Sequence, residues 1–113
     1  MYIKTITILI VMCATLLACS KQHDYNQVCG YFVMLDKQLE KNQLSKSQKA
    51  DFITDLVRSE LSENHPEREM WMAIINAMPE QRYDLYKSTV EEITRKVWDC
   101  PEMKEHISTI GEW

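Results

Sequence analysis

Apolar positions between residues 24 and 110 recur every three or four residues, the period of helices that turn one face to a core. Val28, Tyr31, Phe32, Leu35 and Leu39 define the first face, over about Asp24 to Asn42. Asn42-Gln43 breaks it. Ser45 and Gln48 then form an S-x-x-Q capping box, in which hydroxyl and amide each satisfy a backbone N–H the helix leaves over. The second helix follows to about Leu61, with Ala50, Ile53, Leu56 and Val57 on one face. Pro66, after the turn Ser62-Glu63-Asn64-His65, suits a first helical turn, where its missing N–H costs nothing. A third helix is expected from Pro66 to about Met78, with Met70, Trp71, Ile74 and Met78 inward. Pro79 disfavours helical backbone at Met78, so a fourth helix is expected from Pro79 to about Trp98. Its Tyr83, Tyr86, Val90, Ile93 and Val97 repeat in 3-4-3-4 spacing, a seam for an antiparallel neighbour. Asp99 and Glu102 make a second capping-box-like pair around Pro101. They open a short fifth helix with Met103, Ile107 and Ile110 on its face, which Gly111 can end. No stretch alternates long enough to predict a strand. The pattern predicts an all-α fold, a small bundle of four to five short helices.

The first 18 residues follow another pattern. One positive charge, Lys4, precedes an apolar run from Ile6 to Leu17 that is broken only by Thr7 and Thr15. This is the layout of a secretory signal peptide. The run is too short for a comfortable transmembrane span, which needs about 20 apolar residues. Its end, Leu16-Leu17-Ala18-Cys19, resembles the lipobox of bacterial lipoproteins. The resemblance implies that the signal, residues 1–18, is cut before Cys19. It also implies that Cys19 carries a diacylglyceryl thioether and that its new amine is acylated, with palmitate-type chains holding the protein on the membrane. Only a thiol can supply that thioether. One acyl chain gives marginal membrane binding, whereas two or three hold firmly. Ser20, where inner-membrane lipoproteins carry Asp, favours the outer membrane by the same resemblance. The plainer alternative is an ordinary secretory signal with a cysteine near its end. Residues 19–24 then read as lipidated terminus and tether, and residues 25–113 as a single helical domain.

Composition narrows this picture. Without residues 1–18 the 113-residue chain keeps 12 of its 13 basic and all 17 acidic side chains, a formal charge of −5. A mildly acidic domain argues against nucleic acid as a partner. It also leaves membrane affinity to the lipid chains rather than to an electrostatic grip. With only Gly30 and Gly111 as glycines, the composition fits helices joined by short turns. Of the four cysteines, Cys13 leaves with the signal and Cys19 takes lipid. Cys29 and Cys100 remain, and in an oxidising compartment they are expected to pair. The alternatives are two separate thiols or an intermolecular bridge. A Cys29–Cys100 bond closes a loop of about 70 residues, worth about 4 kcal/mol in the chain-entropy model.

Candidate chemistry is sparse. No G-x-S-x-G, Walker or H-E-x-x-H pattern occurs, so the domain is read as not an enzyme, with no cofactor and no catalytic residue. His23, His65 and His106 lie far apart and lack zinc-site spacing. His106 is expected on the surface of the fifth helix. The acidic pairs Glu67/Glu69 and Glu91/Glu92 read as solvated faces. Met34, Met70, Met72, Met78 and Met103 invite a copper reading, since thioethers suit Cu(I). Met filling core gaps is the usual explanation. Cys29 and Cys100 as a cycling redox pair is disfavoured without a C-x-x-C spacing.

The informative residues are apolar ones off the inward faces. Met72 falls nearly opposite the Met70/Trp71/Ile74/Met78 stripe, and Leu85 lies well away from the helix-four seam. Val33, Met34 and Phe52 lie on flanks. If they converge, Met72 and Leu85 mark a surface for a partner. The expectation is a small lipid-anchored module of the cell envelope, at the outer membrane facing the periplasm. It would bind another envelope protein, whether to assemble, position or inhibit it. The alternative is a periplasmic copper carrier using Met and His side chains.

Overall fold

Each predicted apolar face becomes a helix, but two helices stop short of their predicted ends. The structure, a computed structural model, describes residues 23–111. Its helices are α1 (Gln27–Lys41), α2 (Lys46–Glu60), α3 (Pro66–Ile74), α4 (Arg82–Thr94) and α5 (Pro101–His106). Short 3-10 turns at Pro79–Gln81 and Ile107–Thr109 precede α4 and follow α5. No strand occurs among the described residues. None of their helices is long and apolar enough to cross a membrane.

The Ser45 capping box forms in both directions. The Gln48 N–H donates to Ser45 Oγ at 3.1 Å, and the Ser45 N–H donates to Gln48 Oε1 at 2.8 Å. The second predicted box does not form. Cys100 is the residue that caps α5, and no side chain bonds across that end. Asp99 is instead taken by Tyr83, whose hydroxyl donates to its carboxylate at 2.6 Å.

α1 is central and packs against α2, α3 and α5. Val28, Phe32 and Leu35 of α1, Ile53 and Val57 of α2, Trp71 of α3, Tyr86 and Val90 of α4, and Met103 of α5 are fully buried together. Each apolar side chain of this size buried contributes roughly 1.5–3 kcal/mol. Trp71 stacks edge-on against Phe32, with ring centroids 5.7 Å apart. Its indole N–H donates to Thr54 Oγ1 at 3.1 Å, which lets a hydroxyl sit fully buried on α2. The Cys29–Cys100 disulfide joins the first turn of α1 to the start of α5, with Cα atoms 6.0 Å apart. That separation is ordinary for a bridge. The described residues therefore form an all-α bundle of five short helices stapled by one disulfide.

Two expectations about helix length need correction. α3 ends at Ile74, and the backbone leaves helical geometry at Met78 before Pro79. Met78, expected inward, is exposed. α4 ends at Thr94 because Arg95 adopts left-handed backbone (φ 59°), which turns the chain away. Tyr83, Tyr86 and Val90 of the predicted seam are buried as expected, but Ile93 and Val97 are not. Trp98 takes the inward place instead, its ring 5.4 Å from that of Tyr86.

Candidate functional site

Where the chain enters the domain, it is tied to the corner behind α4. Asn26 donates its N–H to Asp24 Oδ1 at 3.1 Å, a local side-chain turn. Asn26 Oδ1 then accepts from the Trp98 indole N–H at 3.0 Å, across 72 positions of sequence. Between them Tyr25 holds left-handed backbone (φ 61°), although its ring is buried. For a bulky side chain that conformation costs roughly 1 kcal/mol or more, which burial of the ring offsets.

The opposite wall is equally fixed. The Trp98 N–H donates to Glu91 Oε2 at 2.9 Å, and Lys87 Nζ donates both to that carboxylate and to the Trp98 carbonyl. The Trp98 N–H, and then Lys87, hold the Glu91 carboxyl below the usual carboxylate range. With Trp98 clamped inward and Arg95 turned left-handed, Val97 projects outward and is 91% exposed. A cleft of about 480 Å³ opens between the two walls, lined by residues 23–26 on one side and 93–98 on the other.

The outer face of α4 continues from this corner. Leu85 and Ile93 are 42% and 54% exposed. They lie two turns apart, about 80° from each other at 100° per residue. The Ser88 and Thr89 hydroxyls between them both donate to the Leu85 carbonyl, so their polar atoms turn back onto the helix. Leu85, Ile93 and Val97 are three of the five large apolar side chains exposed among the described residues, with Met34 and Met78 elsewhere.

Elsewhere in the domain lie charged groups that are not solvated. Glu67, expected on a wet face, is buried. Its carboxylate accepts the N–H groups of Gln27 (3.2 Å) and Val28 (3.1 Å) and the Tyr86 hydroxyl (3.1 Å). It thus caps α1 from another helix, where unpaired N–H groups and the helix dipole favour an anion. Burial, then the Glu67 charge and hydrogen bond, push the Tyr86 phenol far above its ordinary range. Burial and Glu67 also raise Tyr25. Arg82 is the cationic counterpart, fully buried at the start of α4. Its guanidinium donates to the carbonyls of Ala77 (3.2 Å), Ile107 (3.0 Å) and Ile110 (2.8 Å). His106 is also buried, not on the surface as expected. α5 turns it toward α1, where Nε2 meets Asp36 Oδ1 at 2.8 Å.

Of the residues singled out from sequence, Cys19 lies outside the described residues. Cys29 and Cys100 are bonded to each other. Leu85 is exposed, but Met72 is half-buried against the core and is not a free anchor. α3 ends soon after Met72 and packs against α1, α2 and α4, so even its outer flank is covered. Val33 and Phe52 are likewise half-buried, and Met34 is exposed. The methionines divide between the surface (Met34, Met78), half-buried flanks (Met70, Met72) and the core (Met103). His23 and His65 do meet, with ring centroids 4.9 Å apart and edge-on. His65 Nδ1 is already occupied as acceptor for the Glu67 N–H at the start of α3. Asp36, Glu105 and His106 could together offer three ligand atoms to a metal ion, at a partly exposed surface. Sequence reasoning missed Ile93 and Val97 as surface residues. The one local hint was Arg95-Lys96, which follow directly on Thr94, since cations favour the C-terminal end of a helix. No protein-family model, curated protein or solved structure matches the chain.

Proposed function

We propose that the chain is a small lipid-anchored lipoprotein of the cell envelope that works by binding another protein through the outer face of α4. The lipobox-like Leu16-Leu17-Ala18-Cys19 supports the anchor, and Ser20 supports the outer membrane, facing the periplasm. The observation that carries the binding role is the exposure of Leu85 and Ile93 on the outer face of α4, where the Ser88 and Thr89 hydroxyls between them turn back onto the helix. Scattered exposed apolar residues need no explanation, but several on one rigid edge mark an interaction site. That edge is held by Trp98, Glu91 and Lys87 rather than by a mobile loop, so little ordering entropy is lost on binding. Leu85 and Ile93 are the anchors of the contact, and Met72 is not.

A photoreactive residue at Leu85 of the full chain, expressed in cells, tests this. It should trap one partner. The same residue at Gln43, in the exposed turn between α1 and α2, should not. Loss of the adduct on Ile93→Ser would tie it to the α4 face. Equal labelling from both positions would overturn the assignment.

A copper carrier is the second reading, favoured only by the meeting of His23 and His65. Cu(I) titration of the purified protein, with His65→Ala as control, decides it: tight binding that the substitution abolishes would replace the first reading.

A further inference from the structure

We propose that the Arg95–Val97 corner docks on the phospholipid surface that holds the anchor. Val97 would enter the headgroup region, with Arg95 and Lys96 beside lipid phosphates. This rests on the lipoprotein reading of Cys19 and adds an orientation to it.

Reach is the first argument. Four residue steps separate Cys19 from His23, at most about 14 Å of fully extended chain. His23 belongs to one wall of the cleft, and Arg95, Lys96 and Val97 belong to the other. A lipid on Cys19 therefore keeps the entry side of the domain, which includes this corner and the His65 turn against His23, within about 14 Å of the bilayer surface. Shape is the second argument. Val97 is the most exposed large apolar residue described, and the backbone bonds of Trp98 hold it outward. Charge is the third. In a chain of formal charge −4, the cleft carries Arg95 and Lys96 against a single carboxylate, Asp24. The exposed Glu92 and Asp99 lie just outside it, so the attraction is confined to the tip. An apolar tip flanked by cations suits the boundary between acyl chains and phosphates. Leu85 lies eight residues back along α4, about 12 Å away from Ile93, which leaves it clear of the membrane for a protein partner.

The test uses the full lipidated protein in vesicles of phosphatidylethanolamine and phosphatidylglycerol. Val97→Cys and, separately, Gln43→Cys are labelled with an environment-sensitive fluorophore. The native Cys29 and Cys100 are bonded, so the label finds the new thiol. The label at 97 should shift to the blue and be quenched severalfold more by nitroxide lipids than the label at 43. Exchanging Arg95 and Lys96 for Glu should weaken the quenching at 97, most clearly at low salt. Equal, water-like emission at both positions in protein that floats with the vesicles would overturn the docking and leave the anchor standing. Protein that stays soluble, with no lipid on Cys19 by mass spectrometry, would overturn both. A blue shift that follows protein concentration and ignores nitroxide lipids would assign the corner to a second copy of the chain and overturn the lipid proposal.

Discussion

Two regions of this domain invert the usual placement of side chains, and they do so for opposite reasons. Around Glu67 and Arg82, charged groups are buried. Around Ile93 and Val97, apolar groups are exposed. The first inversion is answered within the chain. Glu67 meets the donor end of α1, and Arg82 meets carbonyls in the turns that follow α3 and α5, so each buried charge faces backbone groups of opposite partial charge. The second inversion has no answer among the described residues. No packing compensates for the exposure of Val97, and its position is fixed rather than loose. A buried charge bonded to groups of the same chain speaks of stability. An apolar edge held out rigidly speaks of something outside the molecule.

If that distinction is right, damage to the first region should show in folding and damage to the second only in binding. The largest effect is expected from the disulfide that ties α1 to α5. Its loss should cost about 4 kcal/mol in the chain-entropy model. In a domain of this size that lowers Tm by about 20 °C or more, measurable by thermal denaturation with and without reductant. A shift of only a degree or two would mean that packing alone holds the two helices.

Glu67→Ala and Arg82→Ala come next. Each strips the partner from several buried backbone groups, and removing one member of a buried charged arrangement costs about 3 kcal/mol or more. Urea midpoints should fall with little change in slope. Tyr86→Phe removes one of the three bonds to Glu67 and should cost about 1 kcal/mol. Near-neutral results for all three would erase the contrast between the two regions.

pH offers a finer cut. Tyr86 is raised in the folded state, chiefly by burial and then by Glu67. Below the ordinary tyrosine pKa of about 10, folded and unfolded chains both keep the proton and stability is unaffected. Above it the unfolded chain releases the proton and the folded chain does not, so stability falls as pH rises. Base unfolding should therefore begin near pH 10, and Tyr86→Phe should flatten it. Glu91 works the other way. Its folded pKa is lowered by the Trp98 N–H and then by Lys87. That contribution is present above the ordinary carboxylate pKa and is lost as pH falls through the lowered one. Because Glu91 is solvated, the acid effect should be small and reduced by salt.

The helical cores of α1 and α2 were legible in sequence because local signals and burial agree there. The Val28–Leu39 stripe and the Ser45–Gln48 box both point to the same backbone. The Cys29–Cys100 pairing was legible from the count of cysteines left after Cys13 and Cys19 are assigned. Glu67 and His106 were not. Each is buried by a partner about 40 or 70 residues away, and no local pattern encodes a contact at that distance. Met72 was misplaced because a helical wheel shows only one buried stripe, whereas α3 touches three neighbours. The end of α4 was misread by following the apolar spacing through Arg95-Lys96. The 3-4-3-4 rhythm to Val97 continues in sequence, but the helix does not continue in space. The candidate site depends on that break, so only Leu85 of its edge was foreseen.

The smallest effect on stability is expected from the residues that carry the proposed function. Leu85→Ala and Ile93→Ala remove side chains that are about half exposed. Substitutions away from core and network features usually lie within about 0.5 kcal/mol. Both variants should therefore keep the wild-type urea midpoint. If Leu85 is a central anchor for a partner, however, truncating it should weaken the complex by about 2 kcal/mol or more. The decisive measurement pairs the two quantities on the same preparations: denaturant midpoint for the variant, and affinity for the partner trapped from position 85. Unchanged folding with weakened binding is the outcome that separates the α4 edge from the Glu67 and Arg82 region. Loss of folding in Leu85→Ala would show that its partial burial already serves the core. Unchanged folding with full affinity would move the binding surface away from α4, and Met34 and Met78, the other exposed apolar residues, would be the next positions to test.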